Sequence, residues 1–159
     1  MFLLSINRSS DTLSSSILHA AVSSSLYATS LRVRVGDKVV EVVALLNSGF
    51  EAPTPQLLIP IDTARALGLW PPEDAREVIL ETAGGPLRAW FYPRKALVKV
   101  VTEDAESREV LRDIIVSPIA DEPLISDMLA EELEIAVESF GRGLWRFRWE
   151  GKLRRKGGL

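Results

Sequence analysis

The run Lys38-Val39-Val40-Glu41-Val42-Val43-Ala44-Leu45-Leu46 is nearly all apolar, and it breaks off abruptly at Asn47-Ser48-Gly49-Phe50. A run of this kind suits a β-strand covered on both faces. The tripeptide that follows is a turn signal set straight after the strand. A small polar side chain leaving a buried strand is well placed to be presented by a rigid scaffold. By itself, however, the tripeptide is equally an ordinary turn.

Upstream, Leu31, Val33 and Val35 alternate with Arg32 and Arg34, the period of a half-buried strand, and Gly36-Asp37 supplies the turn into Lys38. Downstream, Leu57–Ile59 reads as a short strand, and Ile61–Leu67 as a helix with Asp62 near its start and Gly68 past its end. Glu77–Thr82 and Leu87–Tyr92 form two strands around Ala83-Gly84-Gly85-Pro86, a hairpin signal. Ala96–Thr102 and Val110–Val116 make a second pair across the acidic loop Glu103–Glu109. Ser126–Leu133 reads as a short acidic helix, and Ile135–Ser139 with Leu144–Trp149 as a last hairpin. Short strands at this spacing with one or two brief helices indicate a mostly-β barrel or sandwich.

With 159 residues the chain fits one domain. Residues 1–30 hold ten of the fifteen serines and only two charges, Arg8 and Asp11. They read as an N-terminal extension or docked segment, 31–150 as the domain proper, and 151–159 as a basic, solvated tail. Met1–Ile6 has no basic region before its short apolar run, which argues against a secretory leader, and a cytoplasmic location is expected.

No Cys and one His, His19, exclude thiol catalysis, disulfide frameworks and Cys/His zinc sites. Nineteen basic against 22 acidic residues leave a net charge of −3, so no global polycation invites nucleic acid. No apolar run approaches a membrane span. Asn occurs twice and Gln once, a bias seen in thermophile proteins, which draws attention to each amide that remains. The acidic cluster Glu131, Glu132 and Glu134 reads as a solvated helix face. Trp145, Phe147 and Trp149 alternate with Arg146 and Arg148, a stripe that can stack on single-stranded nucleic acid. More often it is an amphipathic strand with its Arg stems covering aromatic core.

The ordered set of elements resembles the retropepsin-like aspartic peptidases, the family of the retroviral proteases and their single-domain cellular and archaeal relatives. Val42–Gly49 is similar to the apolar strand ending in Asp-Thr/Ser-Gly, and Glu77–Tyr92 to the glycine-rich flap. Asp113–Leu129, with Ile114-Ile115-Val116-Ser117-Pro118 and Pro123-Leu124-Ile125, is similar to the later strand, turn and apolar-apolar-Gly motif. Ile61–Leu69 looks like the helix that many cellular members place after the active-site loop. The resemblance spans Leu31 to Trp149 and implies a closed acid-protease β-barrel protomer.

It also implies an aspartic endopeptidase that works as a homodimer on a peptide or protein substrate, with no cofactor and no metal. The catalytic position is Asn47. Ser48 would brace the loop across the dimer axis and Gly49 would allow its turn. Phe50, Glu51 and Ile125, with the flap tip Thr82, Ala83, Gly84 and Gly85, would contact substrate.

Three residues depart from the family pattern: Asn47 in place of Asp, Phe50 in place of a small residue, and Ser126-Asp127 in place of Gly-Arg. The last two imply a reshaped pocket rim. The first removes the chemistry, because two facing Asp carboxylates share one proton and split their pKa values to give an acid and a base. An amide of the same shape does neither. The chain as written is therefore expected to be inactive or nearly so. The alternatives are a non-catalytic peptide- or protein-binding module on the same fold and, from another class, a small β domain binding nucleic acid through Arg146, Arg148, Trp145 and Trp149.

Overall fold

This computed structural model describes residues 4–6, 27–46 and 50–155. The loop Asn47, Ser48 and Gly49 lies outside the described residues, as do His19 and most of residues 1–30. Within the described residues the protein is mostly β, built on a closed six-stranded mixed barrel with two short helices.

The barrel strands are β2 (Tyr27–Val35), β3 (Lys38–Leu46), β9 (Leu124–Ile125), β5 (Gln56–Pro60), β8 (Val110–Ser117) and β7 (Gly85–Val100), hydrogen-bonded in that order. The ring closes where β7 returns to β2, with Leu31 opposite Val100 and Val33 opposite Val98. Two of its pairings, β3 with β9 and β5 with β8, are parallel. Strand β6 (Arg76–Thr82) extends the sheet from β7 as an antiparallel hairpin. Beyond it lie β1 (Leu4–Ile6) and then β4 (Phe50–Glu51). A separate sheet is formed by β10 (Ile135–Ser139), β11 (Leu144–Phe147) and β12 (Arg154–Arg155).

The alternation of β2 has the expected cause. Leu31 and Val33 are wholly buried inside the barrel, while Arg32 and Arg34 turn outward to Glu41 and Glu109. The strand nevertheless starts at Tyr27, four residues before the apolar-polar alternation begins. In β3 only Ala44, Leu45 and Leu46 are buried on both faces; Val39 and Val43 are about half exposed on the outside of the barrel. The continuous apolar run is therefore covered on one face over most of its length.

Leu87–Tyr92 and Ala96–Thr102, read from sequence as separate strands, fall largely within the single strand β7. A register shift between Tyr92 and Ala96 falls in the gap between the two strands read from sequence. Arg94 sits there at φ 46°, and its N–H donates to Asp113 Oδ1 at 2.8 Å. The irregularity bends the strand without ending it, as bulges do.

Helix α1 (Ile61–Ala66) follows β5, and Gly68 at φ 75° turns the chain out of it. Tyr92 fixes the segment beyond by donating from its hydroxyl to the Leu69 carbonyl at 2.9 Å. Helix α2 (Asp127–Glu132) closes one end of the barrel with Leu129 and Ala130 buried. Two apolar clusters result. One fills the barrel interior around Leu31, Val98, Ile114 and Ile125; the other lies beneath the β6–β7 hairpin around Phe50, Leu80, Phe91 and Ile115. None of the helices among the described residues is long and apolar enough to cross a membrane.

Candidate functional site

Strands β3 and β9 run parallel side by side, Leu45 opposite Leu124 and Leu46 opposite Ile125. Leu45 N–H also donates to the Pro123 carbonyl at 2.9 Å. Both strands end at this level, with Leu46 and Ile125 side by side at one end of the barrel. Ile125 is wholly buried in the barrel core and presents no open face.

Ser126 is also wholly buried, so it does not shape a pocket rim as the sequence suggested. Its Oγ accepts from Leu129 N–H at 3.1 Å, capping α2, and from Gln56 N–H at 3.0 Å. Ser126 N–H in turn donates to the Gln56 carbonyl at 3.1 Å. One hydroxyl thus ties the helix start to the start of β5. Asp127 Oδ1 accepts from Met128 N–H in the first turn.

Ser126→Ala is expected to cost about 2–4 kcal/mol in urea unfolding. A lost N-cap accounts for ~1 kcal/mol, and Gln56 N–H left buried without its acceptor for ~1–3 kcal/mol. A loss below ~0.5 kcal/mol would show that other groups satisfy both donors.

Gln56, the only glutamine of the chain, is 1% exposed. Its Nε2 donates to Thr54 Oγ1 at 3.0 Å, and Thr54 Oγ1 donates onward to Asp113 Oδ2. Asp113 is itself buried and holds the β7 bulge through Arg94 N–H. The amide-poor composition was the one sequence signal that could have singled out Gln56; nothing in the local pattern marked Asp113. Gln56 Oε1 is buried with no hydrogen-bond partner. A cleft of about 460 Å³ opens here, lined by Pro53, Thr54, Gln56, Phe91 and the Arg76–Ile79 stretch of β6.

The hairpin tip folds down over the apolar cluster. Thr82 and Ala83 are buried and Gly84 is exposed. Thr82 Oγ1 donates to the Gly85 carbonyl at 2.7 Å and accepts from Gly84 N–H at 3.1 Å. Gly85 has φ 114°, where a side chain is strained. Phe50 is wholly buried beneath the tip, while Glu51 is exposed beside it. Lower on the hairpin Arg88 grips Glu77 with two hydrogen bonds of 2.8 and 3.0 Å. The Arg88 guanidinium holds the Glu77 carboxyl below its usual range, and the carboxylate raises the guanidinium in return.

The aromatic strand β11 faces inward. Trp145 and Phe147 are buried, and exposed Trp149 stacks on Phe147 at 4.2 Å. Its arginines are engaged: Arg146 with Glu138, Arg148 with Glu131. Glu132 pairs with Arg112, so the acidic helix face is matched by cations rather than merely solvated.

Arg154 lies over the Trp145 and Phe147 rings and is 9% exposed, bridging Asp104 and Glu150. This part of the basic tail is therefore not a solvated end. Hydrogen bonds from Arg154, then from Lys152, hold the Asp104 carboxyl far below its usual range; Arg154 does the same, less strongly, for Glu150. No group of acidic or His side chains among the described residues is arranged to hold a metal ion.

No protein-family model matches this sequence, and no curated protein matches it. The functional reading rests on the geometry and on the residues themselves.

Proposed function

We propose that the chain is a retropepsin-type protomer, two copies of which form a cleft for an extended peptide, and that Asn47 leaves that cleft catalytically silent. The observation that carries this reading is the parallel pairing of Leu45-Leu46 with Leu124-Ile125 at one end of a closed barrel. In support, β3 ends at Leu46 beside Ile125, the residue before the cap of α2, and the β6–β7 hairpin packs over β4, the strand that begins at Phe50. A single protomer supplies half a cleft, and a two-fold axis supplies the rest through an isologous interface.

The burial of Phe50 beneath the hairpin favours a second reading, a non-catalytic peptide-binding module on the same fold. The nucleic-acid alternative has less support, because Arg146, Arg148 and Arg154 spend their charge on Glu138, Glu131, Asp104 and Glu150.

Analytical ultracentrifugation tests the leading reading. A dimer is expected at micromolar concentration. Monomer alone at high micromolar concentration would sink the peptidase-type reading and leave the binding module.

A further inference from the structure

Strand β1 lies between two edges that have no other partner on that side. Against β6 it runs antiparallel, with Leu4 opposite Thr82, Ser5 opposite Glu81 and Ile6 opposite Leu80. Against β4 it runs parallel, with Leu4 opposite Phe50 and Ser5 opposite Glu51. Among the described residues β4 is the last strand of the sheet and pairs with no other strand, and β6 is bonded to β7 on its far side. Neighbouring strands lie ~4.8 Å apart, so lifting β1 away leaves a slot about 9.6 Å wide. Both of its walls are then rows of backbone donors and acceptors. This is how a sheet edge takes up an extended segment, with main-chain pairing giving affinity.

The slot begins at Phe50, the residue directly after the Asn47-Ser48-Gly49 loop. Its other end leads into the cleft of about 460 Å³. At the register of β1, an occupant longer than three residues would next meet Ile79, Val78 and Glu77 of β6, which line that cleft. The groove is therefore longer than the strand that fills it.

We propose that Leu4–Ile6 is a tethered occupant of the peptide groove: the chain's own N-terminal segment lies where an extended peptide would pair, and peptides bind only when it leaves. The proposal rests on the reading of hairpin and loop as a peptide cleft. Three residues make few hydrogen bonds, so the strand is displaceable. Being part of the same chain, it still competes at an effective concentration that a free peptide does not easily match. Pairing through the backbone makes the groove tolerant of sequence and selective for extended segments.

The test uses the full chain and its Ser5→Pro variant. Proline removes the N–H and cannot sit inside a strand paired on both sides. The probe is a fluorescein-labelled peptide of residues 1–7, followed by anisotropy, with unfolding in urea as the check on the fold. The variant is expected to bind the probe at least about tenfold tighter than the unaltered chain, and the same peptide carrying Pro at its fifth position is expected not to bind.

Equal, measurable binding by both chains overturns the tethered occupant and leaves the cleft standing. No binding by either overturns the cleft reading and this proposal with it. A Ser5→Pro chain that fails to fold marks β1 as integral and also overturns it. Hydrogen exchange on the unaltered chain gives an answer free of any variant: those amides of Leu80–Thr82 that point toward β1, which alternate with ones bonded to β7, should exchange well before those of β2 and β3. Simultaneous exchange overturns the proposal.

Discussion

Asn47→Asp is expected to turn the chain into an endopeptidase that cleaves a denatured protein at least about a hundredfold faster than the parent. General acid–base help of the kind a carboxylate pair provides is worth ~10²–10⁴-fold. Asp and Asn have nearly the same volume, so the substitution changes charge and proton capacity and little else. In a dimer two carboxyls meet and share a proton, which raises one pKa above its unfolded value.

Two consequences follow for pH. Activity should be bell-shaped with an acidic or mildly acidic optimum that reports the pair's two apparent pKa values. In the folded dimer the raised carboxyl holds its proton to higher pH than in the unfolded chain, so stability falls as pH rises through that folded value. The Asp form should accordingly be the less stable of the two near neutrality and about equal below the unfolded carboxyl pKa. Cleavage assays and urea unfolding of both forms from pH 3 to 8 read the two effects separately. A folded, dimeric Asp form that cuts nothing would mean that burial of Phe50 under the hairpin has closed the site, and the binding-module reading would take its place.

The second large effect belongs to Phe50 itself. It is wholly buried, wedged with Leu80, Ala83 and Phe91 between the hairpin and the barrel wall. Phe50→Ala should destabilise the protein by about 3–5 kcal/mol, the usual range for emptying a buried phenylalanine site. At the size of this chain that is a fall in Tm of roughly 10 °C. Because the cavity would open beside the candidate loop, the variant should also gain affinity for small apolar ligands, as dry engineered cavities do. Calorimetry with and without such a ligand measures both. A loss under ~1 kcal/mol would mean the hairpin collapses to fill the space and Phe50 is not a wedge.

Much of the barrel could be read from the residues because its strands announce themselves locally. Leu31, Val33 and Val35 alternate, Ala83-Gly84 turns the hairpin, and Ser126 starts a helix as its residue type predicts. What stayed hidden was set by partners far along the chain. Val39 and Val43 look buried in a run of apolar residues, yet both are about half exposed on the outer face of β3. Arg154 looks like part of a solvated tail, yet Asp104 and the two aromatic rings of β11 claim it. Of the candidate site, the sequence singled out Ala83 and Phe50, but not that they pack into one apolar cluster. The Gln56–Thr54–Asp113 chain had no motif to betray it, since hydrogen bonds between distant side chains leave no periodic trace. Leu4–Ile6 lay within a stretch marked only by its serines and its lack of charge.

The return of β7 to β2 bears on how quickly the molecule is made. Leu31 finds Val100, and Leu45 finds Leu124, only after much of the chain between them has been ordered. Pairings so distant in sequence put a protein among the slow two-state folders, in the range of milliseconds to seconds. The β2–β3 hairpin is local and forms early, so it waits with both edges unpaired and Val39 and Val43 bare. During that interval the nascent chain is most open to joining another copy of itself, and polar replacements at Val39 and Val43 would raise the refolding yield while leaving the finished barrel unchanged.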